Sequence, residues 1–457
     1  MLGVARNRAR KERVQRAFEA FRLELAEWAE RREADDTRGQ YQSQLKSLRQ
    51  RLEQVAAAIG APLAGMDLQR PSADFYEQCK QLELRLNWLQ RLWRFFRERF
   101  DQRAHPKWGP ALKAADEVVW SCYRAVFKEG PTPARAAPLP FLEFEYSPEA
   151  FPSELIPAEL KSVEATFLRA QLPLLPVALL RLPAACVDEP WWLIHVGHEV
   201  GHHVQFALAS GPTLVEAFRA HLLAAIEPQA DSRESARWAG WTTEIFADVF
   251  AVHAMGAPTL SAMVEAELQK DMTSNRPLYP PVAVRLALMA EVANRLGFQG
   301  QQALQGLVPT ELVKGHERLD KALKLVPQVV DAALASLPLV HKTFSQLCDP
   351  SVVQENTLTD WRQKLLAPAL PAIPKKLESA RQLTGGAFLA WLQLVEQESS
   401  NEKVQAFAEQ FLKAIQRGAP GGTRAPTAPV SDKEAVESLL QHIHSMNRHE
   451  LESVRSR

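Results

Sequence analysis

The sequence predicts a mainly α-helical protein that carries a small edge strand or sheet near its centre. Apolar residues recur at steps of three and four through most of the chain, which is the spacing of one helix face. Leu, Ala, Glu, Gln and Arg are frequent, and 20 glycines in 457 residues is a low number, so the composition also favours helix. Prolines gather in a few segments and divide the predicted helices into groups.

The overall composition is that of an ordinary soluble globular protein, with 46% hydrophobic and 24% charged residues. Lys and Arg together number 54, as do Asp and Glu, so the net charge gives no indication of a nucleic-acid partner. The most apolar stretch, 172–187, contains prolines and Arg181, which excludes a membrane span there. The four cysteines form no CxxC pair, and we expect free thiols in a reducing, cytoplasmic compartment.

Residues 1–128 are predicted to form an N-terminal helical or coiled-coil domain. Amphipathic patterns predict helices over 5–32, 73–103 and 109–127, with a seam of coiled-coil a and d positions between the first two. This seam comprises Tyr41, Leu45, Leu48, Leu52, Val55 and Ile59. A helical hairpin or a short coiled coil fits the pattern. The aromatic residues of the helix over 73–103 fit either a bundle core or a surface for a regulatory protein partner.

Residues 129–300 are predicted to form the central domain. A proline-rich segment, 129–157, precedes a helix over 157–171. The apolar segment 174–183 is bounded by prolines, which favours an edge strand, with a helix-to-helix connector as the alternative. Further helices are predicted over 190–208, 211–229 and 282–296. A polar connection over 230–239 is expected before a helix that Thr242 or Thr243 could cap.

The last part of the chain is predicted to be a C-terminal helical domain over 301–416. Its helices are expected over 311–325 and 326–336, with a last helix from about Trp391 to Ile415. The Gly- and Pro-rich segment 417–431 is predicted to be a flexible linker. It leads to one terminal helix in 432–457.

A metal-binding pattern lies in the predicted helix over 190–208. His198, Glu199 and His202 form His-Glu-x-x-His, and the four-residue spacing puts both imidazoles on one helix face. Two neutral imidazoles there can hold one zinc ion, and Glu199 can reach a water bound to it. The same pattern also arises by chance, so the rest of the chain has to supply a third ligand.

A catalytic zinc site needs three protein ligands and an open position for water. An extended form of the motif would place a glycine and a histidine after His202, but Gln205 and Leu208 occupy those positions. Glu244 lies about forty residues further along, on another predicted helix, and is the best third ligand. Asp248 follows one turn later and can accept a hydrogen bond from the second nitrogen of a zinc-bound imidazole, which fixes the tautomer of that ring.

These residues resemble the two motifs of the gluzincin metallopeptidases. Residues 198–202 (His-Glu-Val-Gly-His) are similar to the first motif, and residues 244–248 (Glu-Ile-Phe-Ala-Asp) to the second, Glu-x-x-x-Asp. The alanine before the aspartate also resembles soluble minimal gluzincins and the prenyl-protein endopeptidases. The resemblance covers roughly 170–300. It implies a helical zincin-like core in which His198, His202 and Glu244 bind Zn²⁺, Glu199 is the general base and Asp248 supports a ligand.

One part of the chain departs from the pattern of this family. Minimal gluzincins of this type often carry His-Pro before a later helix with an arginine, whereas this chain has Tyr279 and Pro280 before Arg285. A phenol or a guanidinium near the metal could stabilise an oxyanion. Tyr279 and Arg285 are therefore candidate catalytic residues, with a loop tyrosine and a salt-bridged arginine as the alternative.

The sequence therefore predicts a zinc metallopeptidase, and more specifically an endopeptidase, with a protein or peptide substrate. Glu199 would take a proton from the attacking water and deliver it to the leaving amine. The long helical extensions could keep the enzyme latent until a partner or ligand opens it. Two alternatives stay open: a catalytically degenerate zinc-binding scaffold, and a coiled-coil interaction protein in which the motif is accidental.

Overall fold

The computed structural model describes residues 2–36, 39–127, 137–144, 148–151, 178–208, 213–267, 279–300 and 317–421. These residues form fourteen α-helices and a three-stranded sheet, which confirms the mainly α class. None of the helices in these ranges combines the length and apolar character that crossing a membrane requires. All four cysteines are buried free thiols, as the spacing of the cysteines predicts.

The first three helices form a bundle with its own hydrophobic core. They are α1 (Leu2–Asp35), α2 (Gln42–Gly60) and α3 (Ser72–Asp101). All six residues of the predicted seam are buried in this core, five of them on α2 and Tyr41 immediately before it. Ion pairs join Arg13 to Glu83 and Glu24 to Arg97, so α1 and α3 run in the same direction. The aromatic residues Trp93, Phe96 and Phe100 of α3 also lie inside, which favours the bundle-core interpretation.

A small mixed sheet lies next to the bundle. Its strands are β1 (Leu139–Glu143), β2 (Glu149–Phe151) and β3 (Leu179–Pro183), in the order β1-β3-β2. β3 pairs parallel to β1 and antiparallel to β2, so it is the central strand and the predicted edge position is wrong. Pro183 is the last residue of β3, where the missing N–H leaves the ladder over 179–182 intact.

The sheet separates the bundle core from a second, larger core. Leu139, Phe141 and Leu179 pack into the bundle core, whereas Leu180 and Leu182 on β3 face the second core, as expected from the alternation of side chains along a strand. The second core also contains α4 (Trp108–Val126), which follows the bundle in sequence.

Five helices follow the sheet and share the second core. They are α5 (Val196–Ala207), α6 (Thr213–Ile226), α7 (Ser232–Met255), α8 (Pro258–Glu267) and α9 (Val282–Arg295). The predicted helix over 190–208 begins as a 3-10 helix, Pro190–His195, before α5. The polar connection predicted over 230–239 is wrong for most of its length, because residues 232–239 belong to α7. The Asp231 carboxylate caps α7 by accepting the N–H groups of Arg233 and Glu234, so neither Thr242 nor Thr243 is the cap.

The C-terminal helices complete the second core. They are α10 (Glu317–Leu334), α11 (Phe344–Leu347), α12 (Glu355–Leu366), α13 (Ser379–Glu396) and α14 (Asn401–Gly418). The predicted break at 325–326 is wrong: α10 continues through Pro327, held by its buried apolar face. The single predicted last helix is two helices, because Ser400 caps α14. The helices predicted over 157–171 and 432–457 lie outside the described residues, and the domain boundaries at 128, 300 and 416 stay predictions.

Candidate metal centre

Two glycines let α5 and α7 cross at very short range. A Cβ atom added at Gly197 would lie 2.8 Å from Met255 Cγ, and one added at Gly201 would lie 2.8 Å from Ala247 Cα. At Gly201 the close atom belongs to the backbone of α7, so a side chain there would require α7 to move, whereas at Gly197 the Met255 side chain would have to shift. The absence of a side chain at Gly201 lets α7 approach the predicted metal ligands closely. The crossing brings the polar residues of α5 and α7 together inside the second core.

The three predicted metal ligands converge at this crossing. His198 Nε2 lies 3.2 Å from His202 Nε2 and 3.4 Å from Glu244 Oε2, and His202 Nε2 lies 3.5 Å from Glu244 Oε1. Ligand atoms about 2.0–2.1 Å from one tetrahedral ion lie about 3.3–3.4 Å apart, which matches these distances. The three residues are the group of the described chain that could hold a metal ion. Glu244 Oε2 is buried and accepts no hydrogen bond, which suits a metal ligand.

Asp248 fixes the orientation of the His198 ring. Its Oδ1 atom lies 2.8 Å from His198 Nδ1, so Nδ1 carries the hydrogen and Nε2 is left to face His202 and Glu244. Asp248 is almost fully buried, and burial acts to raise its pKa. The charges of Arg285 and His198 outweigh burial and hold the pKa of Asp248 below its ordinary value, so this carboxylate is ionised.

Burial lowers the pKa of the His198 and His202 rings, whereas the neighbouring carboxylates raise it. Burial favours the neutral form of both rings. For His198, burial and the charge of Arg285 act to lower the pKa, but the hydrogen bond and charge of Asp248, together with the nearby Glu244 carboxylate, outweigh them and raise the pKa to about 10. For His202, burial prevails and lowers the pKa to about 4, so this ring is neutral at pH 7. In the metal-free protein, one of the two rings therefore carries a proton that a metal ion has to displace.

Arg285 lies beside Asp248, in the interior of the site. Its Nε and Nη2 atoms donate to the two oxygens of Asp248 at 2.7 and 2.9 Å, and Nη1 lies 3.3 Å from Glu267 Oε1. Nη2 is also 3.2 Å from His198 Nδ1. The sequence predicts the presence of Arg285 here, but not Glu267, which is the last residue of α8 and belongs to no motif.

Glu199 is buried next to the first metal ligand. Burial raises the pKa of its carboxyl group to about 7, and the nearby charge of Glu244 adds to this while His198 and Arg285 oppose it. A carboxyl group whose pKa lies near neutrality can both accept and release a proton at pH 7. This arrangement fits the general base that the resemblance to gluzincins implies.

Tyr279 lies at the rim of the site and is 40% exposed. Burial raises the pKa of its phenol, and the carboxylates of Glu244 and Glu199 raise it further, which places the hydroxyl group within their electrostatic range. The phenol is therefore protonated at neutral pH and can donate a hydrogen bond. Of the two candidate catalytic residues, Tyr279 is therefore partly exposed to solvent and Arg285 is buried.

Two further histidines flank the His-Glu-x-x-His motif, His203 on α5 and His195 at the end of the 3-10 helix before it. His203 is buried, and its Nε2–H donates to the backbone carbonyl of Leu179 at 3.1 Å, which attaches α5 to the central strand β3. His195 stacks on Trp192 with the two rings nearly parallel. Sequence spacing points His203 away from the metal, but it gives no indication of its partner on β3.

Comparison with known proteins adds no relative of this chain. No family model, no curated protein and no solved structure matches it. The two motifs and the geometry of their side chains are therefore the grounds on which its function is inferred.

Proposed function

We propose that this chain is a zinc-dependent endopeptidase of the gluzincin type, acting on a protein or peptide substrate. The observation that carries the proposal is the convergence of His198, His202 and Glu244 within 4.8 Å of one another, with the buried carboxyl group of Glu199 beside them. A coiled-coil protein with an accidental motif would have no reason to place Glu244 at this point. The metal ligands come from two helices whose crossing depends on Gly197 and Gly201.

The donor set suits zinc. Two imidazole nitrogens and one carboxylate oxygen are the ligands of many catalytic zinc sites, and three protein ligands leave a position for water or substrate. Zn²⁺ bound there would polarise a scissile carbonyl and lower the pKa of a water molecule toward neutrality. Asp248 holds His198 in the tautomer that such binding requires.

The chain's own residues supply the proton transfers. Glu199 takes a proton from the attacking water, and because its pKa is near 7 it can release the same proton to the leaving amine. Tyr279 can donate a hydrogen bond to the oxyanion that develops on the scissile carbonyl. Since all three nitrogens of Arg285 face carboxylates, we assign Arg285 the role of orienting Asp248.

Substitution of the general base tests this proposal. We expect Glu199→Gln to bind zinc as the wild type does and to lose at least about a hundredfold in the cleavage rate, because general acid–base catalysis contributes on this scale. His198→Ala should lose both zinc and cleavage. Zinc content is measured by metal analysis, and cleavage by mass spectrometry of an unfolded protein and a peptide library. Cleavage by Glu199→Gln at the wild-type rate would remove Glu199 from the mechanism.

A second function, a zinc site kept for stability in an inactive scaffold, is favoured by the burial of the site. His198, Glu199 and Glu244 are each 7% exposed or less. Burial of this kind also fits an enzyme that stays latent until a regulatory partner binds its N-terminal helices. Activity distinguishes the inactive scaffold from the latent enzyme. The scaffold binds zinc and cleaves nothing, including its own chain, whereas the latent enzyme cleaves its substrate once the site is opened.

A further inference from the structure

One nitrogen of Arg285 reaches a carboxylate that lies outside both motifs. Asp248 occupies the edge of the guanidinium group formed by Nε and Nη2, and Glu267 Oε1 lies 3.3 Å from Nη1 on the other side. The Arg285 side chain is 4% exposed and that of Glu267 is 16% exposed. Solvent therefore screens this ion pair far less than it screens a surface pair.

We propose that Glu267 is a positioning residue of the metal centre, which it reaches through Arg285, Asp248 and His198 in turn. The inference rests on the proposed zinc site. Each link is a contact in the structure: Glu267 to Arg285 at 3.3 Å, Arg285 to Asp248 at 2.7 and 2.9 Å, and Asp248 to His198 at 2.8 Å. By this route Glu267 stands three contacts away from His198.

The geometry explains why a second carboxylate is useful. The arginine side chain is long and flexible, whereas its guanidinium group is planar and presents its donors in a fixed arrangement. Asp248 holds one edge of that plane. Glu267 holds the opposite side, so the plane is fixed at two points, and with it the direction of the bonds to Asp248. If Glu267 did not hold Arg285, the guanidinium group could turn. The Asp248 carboxylate could then rotate, and the His198 ring would be oriented less firmly.

The local charges add a general effect, which has to be distinguished from positioning. Once His198 has released its proton, the three carboxylates Glu244, Asp248 and Glu267 face one guanidinium, that of Arg285, so this group carries two negative charges. A divalent cation compensates that charge. Neutralising Glu267 would leave one negative charge, so the site would attract a divalent cation less strongly.

The fold holds Glu267 in place through the turn between α7 and α8. Gly256 has a φ of +78°, in the left-handed region that favours glycine, and a Cβ atom there would lie 2.7 Å from the Val353 carbonyl oxygen. This turn directs α8 so that its last residue, Glu267, meets Arg285 on α9.

Zinc affinity of substituted full-length proteins tests the inference. We expect Glu267→Gln to raise the zinc Kd about tenfold, measured by competition between Zn²⁺ alone and a chromophoric chelator, since residues that support metal ligands contribute on this scale. Glu265→Gln is the matched control: Glu265 lies on α8 but is exposed, and its substitution should leave Kd unchanged. Glu267→Ala should behave like Glu267→Gln.

The background of Asp248→Asn separates positioning from a general charge effect. If Glu267 acts through Asp248, Glu267→Gln should change Kd by less than about twofold in that background. If Glu267→Gln changed the zinc Kd equally in the wild type and in Asp248→Asn, the inference would be overturned. Equal Kd values for Glu267→Gln and Glu265→Gln would overturn it too. Neither result would contradict the zinc site. A wild-type protein that binds no zinc would overturn both proposals. A wild type that binds zinc without cleaving peptides, together with a weakened Glu267→Gln, would overturn only the peptidase proposal.

Discussion

At the scale of single residues, His198 joins the candidate metal ligands to the buried ion pairs. One ring nitrogen faces His202 and Glu244, and the other faces Asp248, which Arg285 holds in turn. The spacing in the sequence predicts His198, His202, Glu244 and Asp248 because helical periodicity fixes which side chains share a face. It does not predict Glu267, since the path of the chain between α8 and α9 has no periodicity that would bring the two helices together.

The protonation states of the ligands predict how zinc binding depends on pH. His198 has a pKa raised to about 10 and is protonated below that pH, whereas His202, with a pKa near 4, is already neutral at pH 7. Zinc binding would therefore release one proton, from His198, and the zinc affinity should rise about tenfold per pH unit between about pH 7 and 9. Calorimetry in buffers of different ionisation enthalpy counts the released protons. An affinity that does not change with pH over this range would contradict the assignment.

At the scale of secondary-structure elements, the crossing of α5 and α7 sets the geometry of the site. We expect Gly201→Ala to lower the free energy of unfolding by roughly 1–3 kcal/mol and to weaken zinc binding, because the new methyl group would lie 2.8 Å from Ala247 Cα and force the helices apart. Gly65→Ala is the control, since a Cβ atom there meets nothing within 4 Å. Urea unfolding and the zinc Kd report the two effects. Equal results for both variants would show that the crossing tolerates the extra volume.

The elements also show where sequence patterns succeed and fail. The apolar residues of α2 recur so regularly that their burial follows from the pattern. The position of β3 could not be predicted from its prolines, because pairing on both sides depends on β1 and β2, which are both distant from β3 in sequence. The helix break predicted at 325–326, next to Pro327, is wrong as well. Proline removes a helical hydrogen bond locally, but the packed apolar face of α10 keeps the helix continuous.

At the scale of the whole molecule, a buried ion pair fastens the N-terminal bundle to the second core. Arg103, just after α3, donates to both oxygens of Asp116 on α4 at 2.6 and 3.0 Å and to the carbonyl of Pro140 in β1 at 2.9 Å. Both side chains are almost completely buried. The sequence shows which face of α4 is apolar, but it does not show which core that face joins, because both cores consist of the same kinds of residue.

Loss of the Arg103–Asp116 ion pair should therefore destabilise the folded protein strongly. We expect Arg103→Met to lower the free energy of unfolding by roughly 3–5 kcal/mol, because it leaves the Asp116 carboxylate buried without its partner. Arg13→Met breaks the more exposed ion pair with Glu83 and should change the free energy of unfolding by about 1 kcal/mol or less. Urea unfolding measures both. Adding Asp116→Asn to Arg103→Met should restore part of the loss, and equal losses for Arg103→Met and Arg13→Met would refute a special role for the buried pair.

The side chain of Gln102 covers the outer edge of β1. Its amide accepts the N–H of Leu142 and donates to the carbonyl of the same residue, both at 2.8 Å, so it takes the place of a neighbouring strand beside β1. A protein shortened to begin at Trp108 would lose this cover and would also expose Leu139 and Phe141. Bare backbone groups next to apolar side chains are a template for pairing between copies, so the N-terminal bundle protects the sheet against edge-to-edge aggregation.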